Sequence, residues 1–134
     1  MNTVTRDLYF TPDHEWIDFQ GSVAYVGVCL FKLSGIKQIQ KIAFAEYSDY
    51  LKQGEVIATI HYDDYQIPVH MPIDGKIISI NEMLLTGDEH ILLQQPELNG
   101  WVALVVPSQH QERNGLLQAE EYRLLQGNVS KVKY

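Results

Sequence analysis

Residues 54–77 read GEVIATIHYDDYQIPVHMPIDGKI, and this stretch organises the fold that the sequence predicts. Two apolar runs, at residues 56–60 and 67–71, flank a polar segment at residues 61–66. Branched and aromatic residues favour strands, and the Asp63-Asp64 pair favours a tight reversal of the chain. We therefore predict a β-hairpin with an exposed tip, bounded by Gly54 and by the segment from Pro72 to Gly75.

Further strands and short helices are predicted on both sides of this hairpin. Towards the N-terminus, residues 16–19 and 23–28 favour strands joined by a turn, residues 30–37 favour one or two helical turns, and residues 39–46 favour a strand. Residues 48–54 favour a loop, residues 76–80 and 101–106 favour strands, and residues 83–93 form a mixed segment. Apolar spacing over residues 116–125 predicts an amphipathic helix capped by Gly127, with residues 126–134 as a frayed tail.

The chain has 134 residues, one cysteine and a formal net charge of −7. Its length predicts one domain, residues 1–134, with a core of its own. The excess of negative charge argues against binding to nucleic acid or to an anionic membrane surface. Cys29 can form no internal disulfide, and no apolar run predicts a secretory signal or a membrane span, so we expect a cytoplasmic protein.

The hairpin tip offers candidates for metal binding and for docking. A metal site would combine His61, Asp63, Asp64 and His70, with His14 from another strand, but no cysteine joins them and the spacing fits no standard pattern. We predict no metal and keep a metal-binding tip as an alternative. Tyrosine is favoured in protein–protein contacts, so Tyr62 and Tyr65, which flank the turn, indicate a docking surface.

Acid–base catalysis has little support in the sequence. His14 with Glu15, and Ser108 with His110, are pairs that could form dyads. Neither pair belongs to a set of nucleophile, base and orienting group. We therefore predict no catalytic residue and no enzyme.

Several motifs together are similar to those of the glycine cleavage system H protein, the lipoyl carrier of that complex. They cover about residues 10–125. The motifs are Phe10-Thr-x-x-His14-Glu15-Trp16, GEVIATI with PIDGKI in the hairpin region, Asn81-Glu82, the segment ending in Gly100-Trp101, and Leu116-Leu-x-Ala-Glu-x-Tyr122. The chain departs from the family pattern at residues 36–38 and 43–45, where the family has Leu-Gly-Asp and Glu-Leu-Pro.

The resemblance implies a mainly all-β fold, the barrel-sandwich hybrid of lipoyl domains. A short helix would follow the first hairpin, and the C-terminal helix would lie on the outside. The expected core residues are Trp16, Val23, Tyr25, Val26, Ile57, Ile60, Ile67, Val69, Ile77, Ile80, Trp101, Leu104 and Leu117.

The resemblance also implies a lysine at the hairpin tip, to which the lipoyl cofactor is attached. Counting without a gap from Gly54, and back from Gly75, places that lysine at Asp64. A carboxylate has no nitrogen with which to form the amide, and residues 53–75 contain no lysine or arginine. We therefore expect no lipoate and no other cofactor.

The expected function is a non-enzymatic binding or regulatory module of lipoyl and glycine-cleavage metabolism. Its expected partners are lipoate ligase or enzymes of the glycine-cleavage and 2-oxoacid dehydrogenase type. The resemblance makes His14 and Glu15 further docking candidates. The alternative is a working aminomethyl or acyl carrier with its cofactor on another lysine, for which Lys52 and Lys76 are nearest in the sequence. The docking candidates are His61, Tyr62, Asp63, Asp64, Tyr65, His14 and Glu15.

Overall fold

The computed structural model of the protein describes residues 6–46, 50–108 and 115–132, with side chains described as far as residue 125. Nine strands, two short α-helices and two 3-10 turns, at Leu30–Leu33 and Glu82–Leu84, make up the described chain. The strands are β1 (Leu8–Phe10), β2 (Glu15–Gln20), β3 (Val23–Val28), β4 (Lys41–Phe44), β5 (Tyr50–Leu51), β6 (Val56–Tyr62), β7 (Tyr65–His70), β8 (Gly75–Ile80) and β9 (Ala103–Pro107). The helices are α1 (His90–Gln94) and α2 (Ala119–Val132).

The strands form two antiparallel sheets. The larger sheet has the order β1-β2-β3-β9-β8-β5, and the smaller one has the order β4-β6-β7. One apolar cluster takes buried residues from both sheets, for example Ile17 and Val105 from the larger and Ile57 and Val69 from the smaller. The sheets therefore share a core, as expected for two packed layers. The predicted mainly β fold is confirmed.

A second, smaller cluster holds the C-terminal helix against the larger sheet. Phe10 stacks on Tyr122 of α2 with ring centroids 4.7 Å apart. Trp16 is buried beneath them, and its indole N–H donates to the carbonyl oxygens of Val28 and Pro96 at 3.1 and 3.0 Å. Helix α2 is thus anchored through its first turns, next to the strand that carries the His14-Glu15-Trp16 motif.

The predicted core is confirmed for six of its thirteen residues. Trp16, Val26, Ile57, Ile60, Val69 and Ile77 are buried. The remaining predicted core residues are half-buried, because they lie on outer faces or at the margins of the sheets. These residues are Val23, Tyr25, Ile67, Ile80, Trp101, Leu104 and Leu117.

The structure corrects the predicted boundaries at both ends of the chain. Helix α2 starts at Ala119 rather than at residue 116, because Leu117 exchanges two backbone hydrogen bonds of 2.7 Å with Phe10 and is held extended. It continues to Val132, so Gly127 lies within the helix and does not cap it, and residues 126–132 are not a frayed tail. Residues 133 and 134 lie outside the described residues.

Two short strands were not predicted. Strand β1 precedes the first strand that the sequence predicts, and it pairs with β2 from Leu8↔Asp18 to Phe10↔Trp16. Strand β5 lies in the predicted 48–54 loop, where Tyr50 pairs with Lys76. Such short edge strands carry too few residues to show an alternating pattern. No helix in the described part of the chain is both long and apolar enough to span a membrane, and the cytoplasmic location stays a prediction.

Candidate functional site

The β6–β7 hairpin is an antiparallel ladder with one register shift, between Val56 and Ala58, and it ends in a two-residue turn. Pairing runs from Val56↔His70 at the base to Tyr62↔Tyr65 next to the tip. Both strands extend further than predicted, so only Asp63 and Asp64 remain in the turn. Asp63 has a φ of 49°, the left-handed conformation that aspartate tolerates better than most residues.

The predicted docking residues at the tip lie together on the surface. Asp63, Asp64 and Tyr65 are exposed, and Tyr65 is 65% exposed. The rings of Tyr62 and Tyr65 form a cross-strand pair with centroids 5.6 Å apart and an interplanar angle of 32°. This pair holds the turn in place and leaves one phenol ring facing solvent beside two carboxylates. The tip therefore presents two carboxylates and one exposed aromatic ring to solvent.

An amine lies close to this tip, and the sequence did not indicate it. Lys41 on β4 pairs with His61 on β6, two residues before the turn. Lys41 is exposed and His61 is half-buried. Lys41 lies near the tip because β4 pairs with β6. Pairing between strands 20 residues apart leaves no pattern in the sequence, so it could not be predicted.

The two lysines considered from the sequence lie elsewhere. Lys52 is exposed in the turn that precedes β6, where its backbone N–H donates to Glu55 Oε2 at 2.7 Å. Lys76 lies on β8 in the larger sheet, opposite Tyr50 and Val106. The hairpin ladder from Val56 to Tyr62 is about 20 Å long at roughly 3.3 Å per residue, and Lys52 precedes its base.

Glu15 is buried, which corrects its prediction as a docking residue. It is 1% exposed, and its carboxylate accepts hydrogen bonds from three elements. Lys32 Nζ donates to Oε2 at 2.6 Å, the backbone N–H of His70 donates to Oε2 at 2.8 Å, and Thr11 Oγ1 donates to Oε1 at 3.1 Å. Glu15 therefore joins β2, the 3-10 turn after β3, and the base of the hairpin.

His14 is half-buried beside this cluster and faces helix α2. Its Nδ1 lies 2.7 Å from the hydroxyl of Tyr122, and its ring packs on Phe31 with centroids 4.4 Å apart. Burial lowers the pKa of His14 below its usual value, and the nearby charge of Lys32 lowers that pKa further. His14 has a φ of 68°, so the backbone itself turns sharply at this point.

Cys29 is buried beneath the same helix. Burial raises the pKa of its thiol to about 12, and burial also raises the pKa of the neighbouring Tyr122. The thiolate is the reactive form of cysteine, and it is nearly absent at neutral pH when the pKa is this high. Cys29 is a small apolar core residue.

The residues of the alternative metal site do not come together in the described part of the chain. Among the described residues, the one group of three potential ligands is Asp13, Glu15 and His70, with ligand atoms within 4.8 Å of one another. His70 lies at the base of the hairpin, opposite the tip that carries His61, Asp63 and Asp64. In that group, Lys32 Nζ already occupies Glu15 Oε2 and would oppose a cation there.

Of the two residue pairs that could form acid–base dyads, only His14 with Glu15 lies entirely within the described residues. The Glu15 carboxylate is engaged by Lys32 and His70, while His14 Nδ1 contacts Tyr122, so the two side chains have separate hydrogen-bond partners. His110, the partner proposed for Ser108, lies outside the described residues.

Comparison with known proteins gives one consistent result. The family model described as glycine cleavage H-protein matches residues 8–128. The chain is similar to the glycine cleavage system H protein of Thermoanaerobacter sp. (strain X514), with 28% identity over 120 residues that cover 90% of this chain and 94% of that protein. It is also similar to the glycine cleavage system H protein of Pelodictyon phaeoclathratiforme, with 31% identity over 127 residues that cover 93% and 98%.

A solved structure supports the fold in the same way. The crystal structure of a glycine cleavage system H protein from Mycobacterium marinum superimposes with a TM-score of 0.76. The alignment covers 92% of this chain and 99% of that chain at 23% sequence identity. At this level of identity the likeness shows that the two chains share a fold.

Proposed function

The chain belongs to the glycine cleavage H-protein family, and from this we propose that it is a member that carries no lipoyl group on its hairpin and acts as a non-enzymatic binding or regulatory module. The single observation that supports the proposal is Asp64, exposed in the two-residue turn at the position where the family resemblance implies the lipoyl lysine. Attachment needs a primary amine, and the carboxylate of Asp64 offers none. The residues present at the tip therefore do not fit the cofactor.

The preserved hairpin supports a binding role for this module. Its ladder is paired without a shift from Ala58 to the turn, and the base is fixed by the hydrogen bond from the His70 N–H to the buried Glu15 carboxylate. A rigid tip with an exposed aromatic ring suits protein recognition, because little side-chain freedom is lost on contact. The tip surface is defined here as His61, Tyr62, Asp63, Asp64 and Tyr65.

The charge of the tip surface indicates the kind of partner. Asp63 and Asp64 concentrate negative charge at one end of a chain whose net charge is −7. A partner with a basic cleft would be steered towards this end by charge complementarity. We propose that the partner is a lipoate ligase or an enzyme of the glycine-cleavage or 2-oxoacid dehydrogenase type, since such enzymes recognise lipoyl-domain hairpins.

The first test asks whether a lysine introduced at the tip can be lipoylated. Wild type, Asp64→Lys and Asp63→Lys are each incubated with a lipoate ligase, ATP and lipoate, and their intact masses are measured. We expect lipoylation of Asp64→Lys only, because that variant alone supplies an amine at the family's attachment position. Asp63→Lys is the matched control, with the same charge change one residue earlier in the turn. Lipoylation of wild type would contradict the proposal.

The second test measures docking through the tip surface. Tyr65→Ala is compared with Tyr50→Ala in binding to the proposed enzymes by surface plasmon resonance. These two tyrosines are matched in exposure, at 65% and 64%, and Tyr50 lies in the other sheet. We expect Tyr65→Ala to weaken binding by about tenfold or more, as for an aromatic anchor, and Tyr50→Ala to bind as wild type. Equal binding by wild type and Tyr65→Ala would exclude the tip as the docking surface.

A second candidate function is a carrier whose cofactor is attached to another lysine. The pairing of Lys41 with His61 makes Lys41 a better candidate than Lys52 or Lys76, because it lies about 7 Å along the strand from the turn. In this case the added mass would map to the peptide that contains Lys41. Replacement Lys41→Arg would keep the charge and abolish the modification.

A further inference from the structure

A pocket opens on the outer face of the larger sheet, remote from the hairpin. Its volume is about 240 Å³. Trp16 and Asp18 contribute from β2, and Tyr25 lies opposite Asp18 on β3. Side chains alternate between the two faces along β2, so Trp16 and Asp18 lie on the outer face while Ile17 and Phe19 point into the shared core. The remaining lining residues are Arg6, Leu98, Asn99 and Trp101.

The aromatic walls of the pocket are fixed in place. The indole N–H of Trp16 is held by two carbonyl oxygens, and its ring lies across Gly27, where an added Cβ would come within 2.6 Å of the ring. Tyr25 and Trp101 pack edge to face with centroids 5.2 Å apart. Aromatic walls that are already ordered lose little entropy when a flat or apolar group enters between them.

Two opposite charges line the pocket, those of Arg6 and Asp18. Arg6 lies over the ring of Trp16 at 5.3 Å and donates through Nε to Asp18 Oδ2 at 3.2 Å. Asp18 Oδ1 accepts from the backbone N–H of Asp7 and from Gln20 Nε2, both at 2.9 Å. Asp18 is therefore surrounded by donors. Among the residues that the structure describes, Arg6 donates through Nε alone, and its terminal N–H groups have no protein acceptor.

Two other polar groups add to this set of donors. The indole N–H of Trp101 and the hydroxyl of Tyr25 have no hydrogen-bond partner within the described residues, although both residues line the pocket. Guanidinium, indole and phenol groups can all donate to an anionic oxygen. Because Arg6 Nε is engaged by Asp18, the edge formed by its two terminal nitrogens remains, and such an edge suits a planar carboxylate.

We propose that this pocket binds a small organic carboxylate with an apolar or aromatic body. The carboxylate contacts the terminal N–H groups of Arg6, and the body lies between Tyr25, Trp101 and the exposed Leu98. The volume lies just below the range of roughly 300–1,000 Å³ found for drug-sized ligands, so the ligand is small. The site lies on β2 and β3 rather than on the hairpin, so it does not depend on the proposed function.

Tryptophan fluorescence provides a direct test, because the two tryptophans of the chain, Trp16 and Trp101, both line the pocket. The full chain is titrated with 3-phenylpropanoate and, separately, with 3-phenylpropanamide, a neutral compound of the same size. We expect a saturable change with the acid and a dissociation constant at least about tenfold weaker with the amide, since the amide lacks the charge-assisted hydrogen bonds.

Variants locate the binding site. Arg6→Gln is expected to weaken binding of the acid by about tenfold or more, while Arg123→Gln, a matched loss of an exposed arginine on α2, binds as wild type. If Arg6→Gln does not fold, the proposal is tested by the ratio of the dissociation constants of the amide and the acid for the wild-type protein. The proposal is overturned by no saturable change with the acid, by equal affinity for acid and amide, or by unchanged binding to a folded Arg6→Gln variant.

Discussion

Asp64 and Glu15 are both carboxylates, and their surroundings give them opposite roles. Asp64 lies in an exposed turn, where its charge is available to a partner. Glu15 is 1% exposed and is held by Lys32, His70 and Thr11. A buried ion pair of this kind fixes geometry, and removal of one member leaves the other unpaired. Glu15 therefore acts on the hairpin through its structural contacts.

Replacement of Glu15 tests this structural role. Glu15→Gln leaves the ammonium group of Lys32, whose side chain is 10% exposed, without a charged partner. We expect a loss of about 3 kcal/mol in the free energy of unfolding, measured with urea. The double variant Glu15→Gln with Lys32→Met removes the unpaired charge and is expected to be more stable than Glu15→Gln alone. A loss below about 0.5 kcal/mol for Glu15→Gln would show that the cluster contributes little.

The sequence was sufficient to place Asp64 but not Glu15. Asp64 lies at the centre of a hairpin whose two apolar runs and flanking glycines set the register, and the structure leaves only Asp63 and Asp64 in the turn. The burial of Glu15 depends on Lys32 and His70, which reach it from 17 and 55 residues away. Such contacts exist only after the chain has folded, and polar residues are ordinarily expected at the surface.

At the level of elements, the β2–β3 hairpin shows how one missing side chain shapes a surface. Gly27 lies opposite Trp16, and the indole ring occupies the space that a side chain at residue 27 would take. Trp16 can then lie flat on the sheet and bond to Val28 and Pro96. Gly27 thus determines the packing of Trp16, and through it one wall of the pocket that Trp16 lines.

Gly27→Ala is expected to destabilise the protein by about 1–3 kcal/mol, because the new methyl group overlaps a ring that is fixed on both sides. Urea unfolding measures the loss, and a shift in tryptophan emission reports the displaced ring. Ser22→Ala, in the exposed turn of the same hairpin, is the control and is expected to change stability by less than about 0.5 kcal/mol. A Gly27→Ala variant as stable as wild type would contradict the close packing of the Trp16 ring on residue 27.

Elements with a strong pattern of their own were predictable from the sequence, and elements made by distant pairing were not. Strands β2, β3, β6, β7 and β8 follow runs of apolar residues, and their predicted positions are confirmed to within two residues. The start of α2 was wrong because Leu117 pairs with Phe10 across more than 100 residues. The proximity of Lys41 to the tip has the same origin, since it depends on the pairing of β4 with β6.

At the level of the whole molecule, the chain has the fold of an H protein, with Asp63 and Asp64 in the turn of its hairpin. The family match extends over residues 8–128, and the fold superimposes on an H protein with a TM-score of 0.76. The smaller sheet contains the β6–β7 hairpin that carries Asp64. Function depends on the residues carried by a fold, so the identity of residue 64 carries more weight for function than the overall likeness.

The most direct measurement is the intact mass of the wild-type protein isolated from its native cells, in which lipoylation of other proteins has been verified. The account predicts the unmodified mass, because residues 61–66 contain no lysine and Asp64 stands where the family resemblance implies the attachment lysine. A mass increment of a lipoyl or octanoyl group would contradict the account. Peptide mapping would then show whether the group is carried by Lys41, which pairs with His61 two residues before the turn.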